Sequence, residues 1–305
     1  MQATSESANP LSSQVYQAPL SVIELVGADA ETFLHNQITQ DVTQLNNGQW
    51  AFSAHCDPKG KAWSVLRVAR SADRFYLVTS PAAAAATLAQ LKKYAVFSKV
   101  TINDLTSSVH VLFDPTTALP VGTLEHPATE VTTSPLELRL GLGTASLLIC
   151  AADTPVEEDT QQHWLKYEIE QGVVQLSEAT LGEYVPQMLR VDELGGINYK
   201  KGCYIGQETV ARMHYLGQNK RALRLVVGKC TEVPDPGATL EQKLGDNWRR
   251  AGAVINAVRY DNNEVAMLVV VPAELDDHVA LRIKGDEQSD FTLRPKFDNQ
   301  EISNE

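Results

Sequence analysis

The strongest constraint on the fold is a change in the sequence pattern after Gly217. Beyond that residue the apolar runs are short, and tight-turn sequences such as PDPG at 234–237 separate them. Regularly spaced short strands are typical of antiparallel barrels, in which closure leaves no sheet edge unpaired. Residues 218–295 are therefore predicted to form a C-terminal antiparallel β-barrel.

The sequence before Gly217 mixes strand and helix patterns. Strand patterns cover 22–26, 50–56 and 61–70, whereas helix patterns cover 80–94 and 160–172. Such a mixed order indicates an α+β fold, and a length of 305 residues allows two or three domains.

Four segments follow from these patterns. We expect a disordered leader over 1–17, an α+β region over 18–217, the barrel over 218–295 and a tail over 296–305. The polar start of the chain lacks the apolar core of a signal peptide, and the apolar runs are too short to span a bilayer. A cytoplasmic protein that does not enter membranes is the expectation.

The four cysteines are widely spaced and include no CxxC pair. This spacing argues against a disulfide framework and against structural zinc, so reduced thiols and no metal site are predicted. We expect a monomer.

The net charge of −12 argues against general nucleic-acid binding, which needs a positive surface. The charge is uneven, however, because residues 200–224 are rich in lysine and arginine and contain a single acidic residue, Glu208. This basic segment suggests a site for a specific anion or an acidic partner. Direct tRNA binding through it is a weaker hypothesis.

One cysteine lies inside the basic segment, in the sequence KKGCYIGQETVAR at 200–212. A helix is predicted to begin near Gly206, which places Cys203 just before a helix N-terminus and beside lysines. Both features stabilise a thiolate. The alternative is a cysteine packed under a turn, and the local sequence leaves both open.

The helix pattern over 160–172 carries Trp164, Glu168 and Glu170. An aromatic ring and a carboxylate suit a flat heterocycle with N–H donors, such as a pterin, because the ring stacks and the carboxylate accepts hydrogen bonds. A core tryptophan with solvated acids is the alternative.

Two other groupings are interpreted as structural. His55 and Cys56 are adjacent in a predicted strand and should point to opposite faces. The segment GLGTAS at 141–146 lacks the residues of a phosphate loop and is predicted to be a hairpin turn.

With these residues assembled, the chain resembles the YgfZ family of folate-binding, tRNA-modifying proteins, which is related to the aminomethyltransferase T-proteins. The similarity is most specific in the motif K-G-C-Y-x-G-Q-E and the arginine behind it: Lys201, Gly202, Cys203, Tyr204, Gly206, Gln207, Glu208 and Arg212. Further similar segments are HCDPKGKAWS (55–64), LKKYAVFSKVTI (91–102), DELGGI (192–197), NKRAL (219–223) and GDNWRRAG (245–252).

The resemblance implies two α+β subdomains and a C-terminal barrel around a central channel that binds tetrahydrofolate or a derivative. It implies folate contacts from Trp164 and Glu170, and functional roles for Lys201 and Cys203. It further implies a role in maintaining iron–sulfur enzymes and in tRNA modification, with iron–sulfur proteins or tRNA-modifying enzymes as partners.

The chain departs from the family pattern at two positions. Leu20 stands where relatives carry a second folate-contacting tryptophan, and Ser64 stands where T-proteins carry an acid next to the transfer reaction. A serine cannot supply a carboxylate's charge, so ordinary aminomethyl transfer is not expected. A folate-dependent one-carbon transferase with another acceptor is the alternative function.

Overall fold

The computed structural model describes residues 15–126, 137–152, 161–217 and 219–297. Within these ranges the helices are α1 (Ala30–His35), α2 (Pro81–Tyr94), α3 (Gln161–Gln171) and α4 (Gln207–Leu216). Two 3-10 turns lie at Ala95–Phe97 and Pro186–Leu189.

The strands form three sheets. In chain order they are β1 (Tyr16–Gln17), β2 (Ser21–Val26), β3 (Gln49–Cys56), β4 (Ala62–Ser71), β5 (Arg74–Thr79), β6 (Thr101–Asp104), β7 (Val109–Asp114), β8 (Leu124–Glu125), β9 (Leu138–Gly141), β10 (Ser146–Ala151), β11 (Arg221–Lys229), β12 (Thr239–Leu244), β13 (Asn247–Arg259), β14 (Val265–Pro272), β15 (Leu281–Ile283) and β16 (Asp290–Leu293).

The first sheet has the antiparallel order β3-β4-β5-β2-β6, and α1 and α2 cover one of its faces. The side chains of β4 alternate between the two faces of this sheet. Leu66 and Val68 pack with the two helices, whereas Val65 and Ala69 point to the opposite face and join the cores shared with the rest of the molecule.

The second sheet has the order β1-β7-β10-β9-β8 and packs against the uncovered face of the first. Their common core contains Phe52 from β3, Phe113 from β7 and Leu147 from β10. Trp164 of α3 completes this core, while Ile169, further along the same helix, packs into a second core shared with the barrel. Helix α3 therefore lies where the three parts meet.

The third sheet is a closed antiparallel barrel with the order β11-β14-β13-β12-β15-β16, which confirms the predicted α+β fold with a C-terminal barrel. Its strand β14 is apolar on both faces. Val265 and Met267 point into the barrel core, whereas Ala266 and Leu268 pack against the rest of the protein. A strand that is buried on both faces has an uninterrupted apolar sequence, here VAMLVVV.

Several details differ from the sequence predictions. The sequence predicts a helix capped by Asp29 with Phe33, Leu34 and Ile38 on one face. Helix α1 ends at His35, however, so Ile38 lies outside it, and the Asp29 carboxylate accepts the backbone N–H of Lys99 at 2.6 Å without capping the helix. No strand was predicted at β1, β6, β8, β12 or β16, because each is short, rich in polar residues or both. The predicted hairpin turn does connect β9 with β10.

The two predicted end segments lie largely outside the described residues. Tyr16 and Gln17, in the predicted leader, pair with β7. Phe297, in the predicted tail, packs against Arg190. None of the described helices combines the length and the apolar character that crossing a membrane requires.

Candidate functional site

A cavity of about 270 Å³ lies where the first sheet, α3 and the segment after the barrel meet. Its lining combines aromatic rings with acidic and basic side chains. The aromatic residues are Trp50, Phe52, Tyr167 and Phe297, and the charged residues are Arg67, Glu170, Arg190 and Glu193. Pockets for drug-sized ligands span roughly 300–1,000 Å³. The cavity is therefore suited to a ring system rather than to the whole of an extended ligand.

A buried ion pair supports one wall of the cavity. Arg67 Nη2 donates to Glu168 Oε1 at 2.6 Å, and both side chains are almost inaccessible to solvent. The guanidinium group lies 4.9 Å from the Phe52 ring centroid. Burial raises the pKa of the Glu168 carboxyl, and the positive charge of Arg67 opposes that shift. Removing either partner would leave an uncompensated charge in the core.

Trp164 lies behind the cavity wall. Its side chain is fully buried, and its ring stacks on Tyr167 at a centroid distance of 5.7 Å. The guanidinium carbon of Arg67 also lies over the Trp164 ring, 5.2 Å from its centroid. Tyr167 and Arg67 line the cavity, whereas Trp164 does not. Direct ligand contact by Trp164 stays a prediction, and the geometry favours a supporting position.

Glu170 does line the cavity and is exposed. Its carboxylate accepts the hydroxyl of Tyr260 at 3.3 Å, which links α3 to the barrel. Burial, reinforced by the charge of Glu170, raises the pKa of Tyr260 to about 12. Glu170 is thus held at the cavity by a neutral donor and keeps acceptor capacity for a ligand.

Gly172 allows two cavity residues to approach α3. The Arg190 Nη1 donates to the carbonyl of Gln171 at 2.8 Å, and its guanidinium lies 4.3 Å from the Phe297 ring centroid. A Cβ on Gly172 would lie 2.5 Å from Arg190 Nη1 and 2.8 Å from the Phe297 ring. Gly172 also has a φ of +67°, so both its backbone conformation and the limited space around its Cα favour glycine.

Leu20, predicted to replace a ligand-contacting tryptophan, lies outside the main cavity. It is half-buried and lines a separate void of about 10 Å³ with Val65 and Glu168. Arg67 borders both spaces. Phe52 and Val173 border both spaces as well, so Leu20 lies next to the cavity but outside it.

The Lys201 side chain is buried, and its ammonium group is engaged in hydrogen bonds. Its Nζ donates to the backbone carbonyls of His35, Ile38 and Gln40, the last two at 2.7 and 2.9 Å. Burial lowers the pKa of Lys201 to about 8. The ammonium group satisfies carbonyls at and beyond the end of α1, which have no helical partner. A structural role for Lys201 is therefore evident, in addition to any chemical one.

Cys203 is exposed and lies outside the cavity, as do all residues of 200–212. Helix α4 begins at Gln207, with Gly206 at φ of +83° as its N-cap, so the predicted helix start is correct. Tyr204 is buried in the core shared with the barrel. The chain thus anchors the motif through Lys201 and Tyr204 and leaves the thiol at the surface.

The remaining motif residues have local partners. Gln207 Nε2 lies 3.5 Å from the carbonyl of Gly202, and exposed Arg212 pairs with Glu208 at 3.1 Å. The exposed pair contributes little to stability, since solvent screens it.

The basic segment is less basic at the surface than its sequence suggests. Lys201 is buried, and Arg224 is buried with its Nη2 2.6 Å from Asp277. The cations that remain accessible are Lys200, Arg212, Lys220 and Arg221. Two of the six positive charges are therefore unavailable to an external anion, which weakens the case for direct tRNA binding.

Ser64 faces α2 and not the cavity. Thr87 Oγ1 donates to Ser64 Oγ at 2.9 Å and lies 3.3 Å from His55 Nδ1. All three side chains are buried, and burial lowers the pKa of His55 to about 4. Cys56 points to the opposite face, as predicted. On the cavity side β4 presents Val65 and Arg67, so this strand offers no carboxylate there.

Sequence reasoning missed Arg67, Tyr167, Arg190 and Phe297 as cavity residues. Arg67 could have been found, because it is a lone charge in the apolar strand sequence SVLRVA. Phe297 could not, because its position follows from the path of the chain after the barrel.

Comparisons with known proteins agree with this architecture. The model of the YgfZ β-barrel domain matches residues 219–286, and the model of the GCVT N-terminal domain matches residues 16–113. Among solved structures, the glycine cleavage system aminomethyltransferase T from Bartonella henselae shares the fold with a TM-score of 0.70 at 15% identity, over 93% of this chain and 85% of that chain. The chain thus combines a match to the GCVT N-terminal domain with a match to the YgfZ β-barrel domain, and its fold fits the superfamily that contains YgfZ and the T-proteins.

Proposed function

We propose that this protein binds tetrahydrofolate or a derivative in the cavity and, as a YgfZ-type protein, supports iron–sulfur enzymes, including enzymes that modify tRNA. The observation that carries the proposal is the chemistry of the lining, in which aromatic rings and the Glu170 carboxylate meet in one space. A pterin needs these two kinds of contact, since its faces stack and its N–H edge donates.

Tyr167 and Phe52 are among the rings that line the cavity and could stack on a pterin, and Glu170 would accept its N–H groups. Trp164 supports Tyr167 from the core side, where the two rings stack. Arg190 lies at the same cavity, where its Nε donates to the Glu193 carboxylate at 2.8 Å and its Nη1 to the Gln171 carbonyl at 2.8 Å, so it can offer a ligand only its remaining N–H groups.

Cys203 would act separately from the folate. Its exposed side chain lies just before the N-terminus of α4, where a partner protein can reach it. In this proposal the thiol meets a partner protein at the surface, by thiol chemistry or by transient contact with its cluster, while folate occupies the cavity.

The test is the rescue of iron–sulfur enzyme activity in cells that lack the protein. Cys203→Ser should fail to rescue, whereas Cys230→Ser, a control at a half-buried cysteine of the barrel, should rescue like the wild type. Equal rescue by both variants would overturn the role of Cys203.

A turnover assay separates binding from one-carbon transfer. Purified protein with methylene- or formyl-tetrahydrofolate and candidate acceptors should bind the cofactor without consuming it. Catalytic consumption would instead support the transferase.

A further inference from the structure

Residues 94–97, at the end of α2, place large apolar side chains in solvent. Phe97 is 100% exposed, Val96 is 71% exposed and Tyr94 is 40% exposed. Scattered exposed apolar residues are ordinary, but adjacent ones rimmed by polar residues mark interaction sites. We call residues 94–97 the Phe97 turn.

The backbone of the Phe97 turn is fixed by core packing and by hydrogen bonds. Ala95 packs into the core under α2, and the Ser98 N–H donates to the Ala95 carbonyl at 2.9 Å. Asp29 accepts the Lys99 N–H at 2.6 Å and donates its own N–H to the Lys99 carbonyl at 3.2 Å. A turn fixed in this way needs little further ordering when it binds, so its apolar surface is available at low entropic cost.

The side-chain charges within segment 91–100 all have one sign. Lys92, Lys93 and Lys99 are exposed, and segment 91–100 contains no acid. No ion pair within the described residues involves these lysines. Two carboxylates lie nearby: Asp29 accepts the Lys99 N–H, and Asp104 accepts the Thr106 N–H and has its pKa lowered by hydrogen bonds from Thr106 and by the charge of Lys92. The turn is thus a positive, apolar surface on a chain with a net charge of −12.

A groove lies between the Phe97 turn and the end of α1, and one of its lining residues contacts the loop that carries Cys203. The groove has a volume of about 380 Å³, and its lining includes Tyr94, Phe33 and Asn36 together with one acid, Asp29. The carbonyl of Asn36 accepts the backbone N–H of Ile205 at 3.3 Å. A molecule seated on the turn and groove would therefore lie beside the loop of the exposed thiol.

We propose that the Phe97 turn, its flanking lysines and this groove dock a protein whose surface offers an apolar pocket bordered by carboxylates. Charge complementarity selects that partner, because the lysines need an acidic rim. The inference rests on the proposed function, in which Cys203 meets a partner protein. A membrane is disfavoured because the exposed apolar surface is one short turn and not an amphipathic helix.

The first test compares Phe97→Ser with Leu244→Ser, a control at an exposed apolar position of the barrel. In cells that lack the protein, Phe97→Ser should lose the rescue of iron–sulfur enzyme activity, and Leu244→Ser should keep it. Both purified variants should keep the wild-type melting temperature and the wild-type affinity for tetrahydrofolate.

The second test uses a photo-crosslinking amino acid at position 97, with position 244 as the control. A protein that crosslinks from position 97 alone is then purified and titrated by calorimetry. Its affinity should fall by roughly tenfold or more for Phe97→Ser, as at an interface hot spot. Lys93→Glu should weaken it too, and added salt should reduce the wild-type affinity.

The proposal is overturned if Phe97→Ser rescues fully or if both positions crosslink to the same proteins. It is also overturned if position 97 crosslinks only to a second copy of this chain. Wild-type binding to phosphatidylglycerol-containing vesicles that is lost in Phe97→Ser would assign the turn to membranes. If the wild type fails to bind tetrahydrofolate while Phe97→Ser still abolishes rescue, the folate proposal falls and the docking surface stands.

Discussion

Gly206 faces Gly60 at a distance that leaves no room for a side chain on either residue. A Cβ on Gly206 would lie 2.8 Å from the Cα of Gly60 and 2.5 Å from the carbonyl oxygen of Asp57. Both glycines have positive φ, +83° and +78°. The contact joins the β3–β4 turn to the start of α4, so two motifs far apart in the sequence form one unit that positions the loop of Cys203.

Gly206→Ala should therefore destabilise the protein by about 3 kcal/mol, because strain at positive φ adds to a backbone clash. Gly245→Ala is the matched control, since Gly245 has φ of +60° but no atom within 4 Å of its Cβ position. That variant should lose only about 1 kcal/mol. Urea unfolding measures both values, and equal losses would contradict the close contact.

Lys201→Met should cost about 3 kcal/mol, because three backbone carbonyls lose a charged donor. Lys200→Met, at the exposed neighbour, should change the free energy of unfolding by less than about 0.5 kcal/mol. Denaturant titrations of the two variants distinguish this structural role from a purely chemical one. A Lys201 variant as stable as the Lys200 variant would rule it out.

The buried Arg67–Glu168 ion pair should show strong energetic coupling in a double-mutant cycle. Arg67→Met alone should destabilise by about 4 kcal/mol, because it leaves the Glu168 carboxylate buried without a partner. The double variant Arg67→Met/Glu168→Leu should recover much of that loss, since no charge then remains in the core. Additive losses in the cycle would show that the two residues are not coupled.

Asp192 predicts a pH effect on stability. Burial raises the pKa of its carboxyl from the ordinary 3.8 to about 6. The folded protein therefore binds more protons than the unfolded chain between these values, and this residue's contribution makes the free energy of unfolding fall as pH rises from 3.8 to about 6. Relative to wild type, Asp192→Asn should become more stable across that window. A constant difference between the two proteins would refute the shift.

The patterns that come from burial on regular elements were predictable. The two-faced apolar run of β14 and the alternation of His55 and Cys56 both follow from strand geometry. The cavity was only half predictable. Glu170 was found from its helix, but Arg190 and Phe297 reach the cavity through loop paths and a close approach at Gly172 that no local pattern encodes. The burial of Lys201 was hidden for the same reason, since its Nζ binds backbone carbonyls at and beyond the end of α1, far away in the sequence.

Gly172→Ala should weaken tetrahydrofolate binding, because the methyl group would displace Arg190 and Phe297 from the cavity. Gly182→Ala is a suitable control, since Gly182 also has positive φ but its nearest neighbour, Trp63, lies at an ordinary 3.5 Å. Fluorescence titration with tetrahydrofolate should show a loss of affinity in the first variant only. Similar affinities in the two variants would indicate that the ligand does not use this part of the cavity.

The central claim is that the folate site and the thiol are separate. Calorimetric titration of tetrahydrofolate into the wild type, Tyr167→Ala and Cys203→Ser tests it most directly. We predict saturable binding to the wild type, the same affinity in Cys203→Ser and an affinity weakened by about tenfold in Tyr167→Ala, where a stacking ring is lost. An absence of binding by the wild type, or a loss in Cys203→Ser as large as in Tyr167→Ala, would contradict the account.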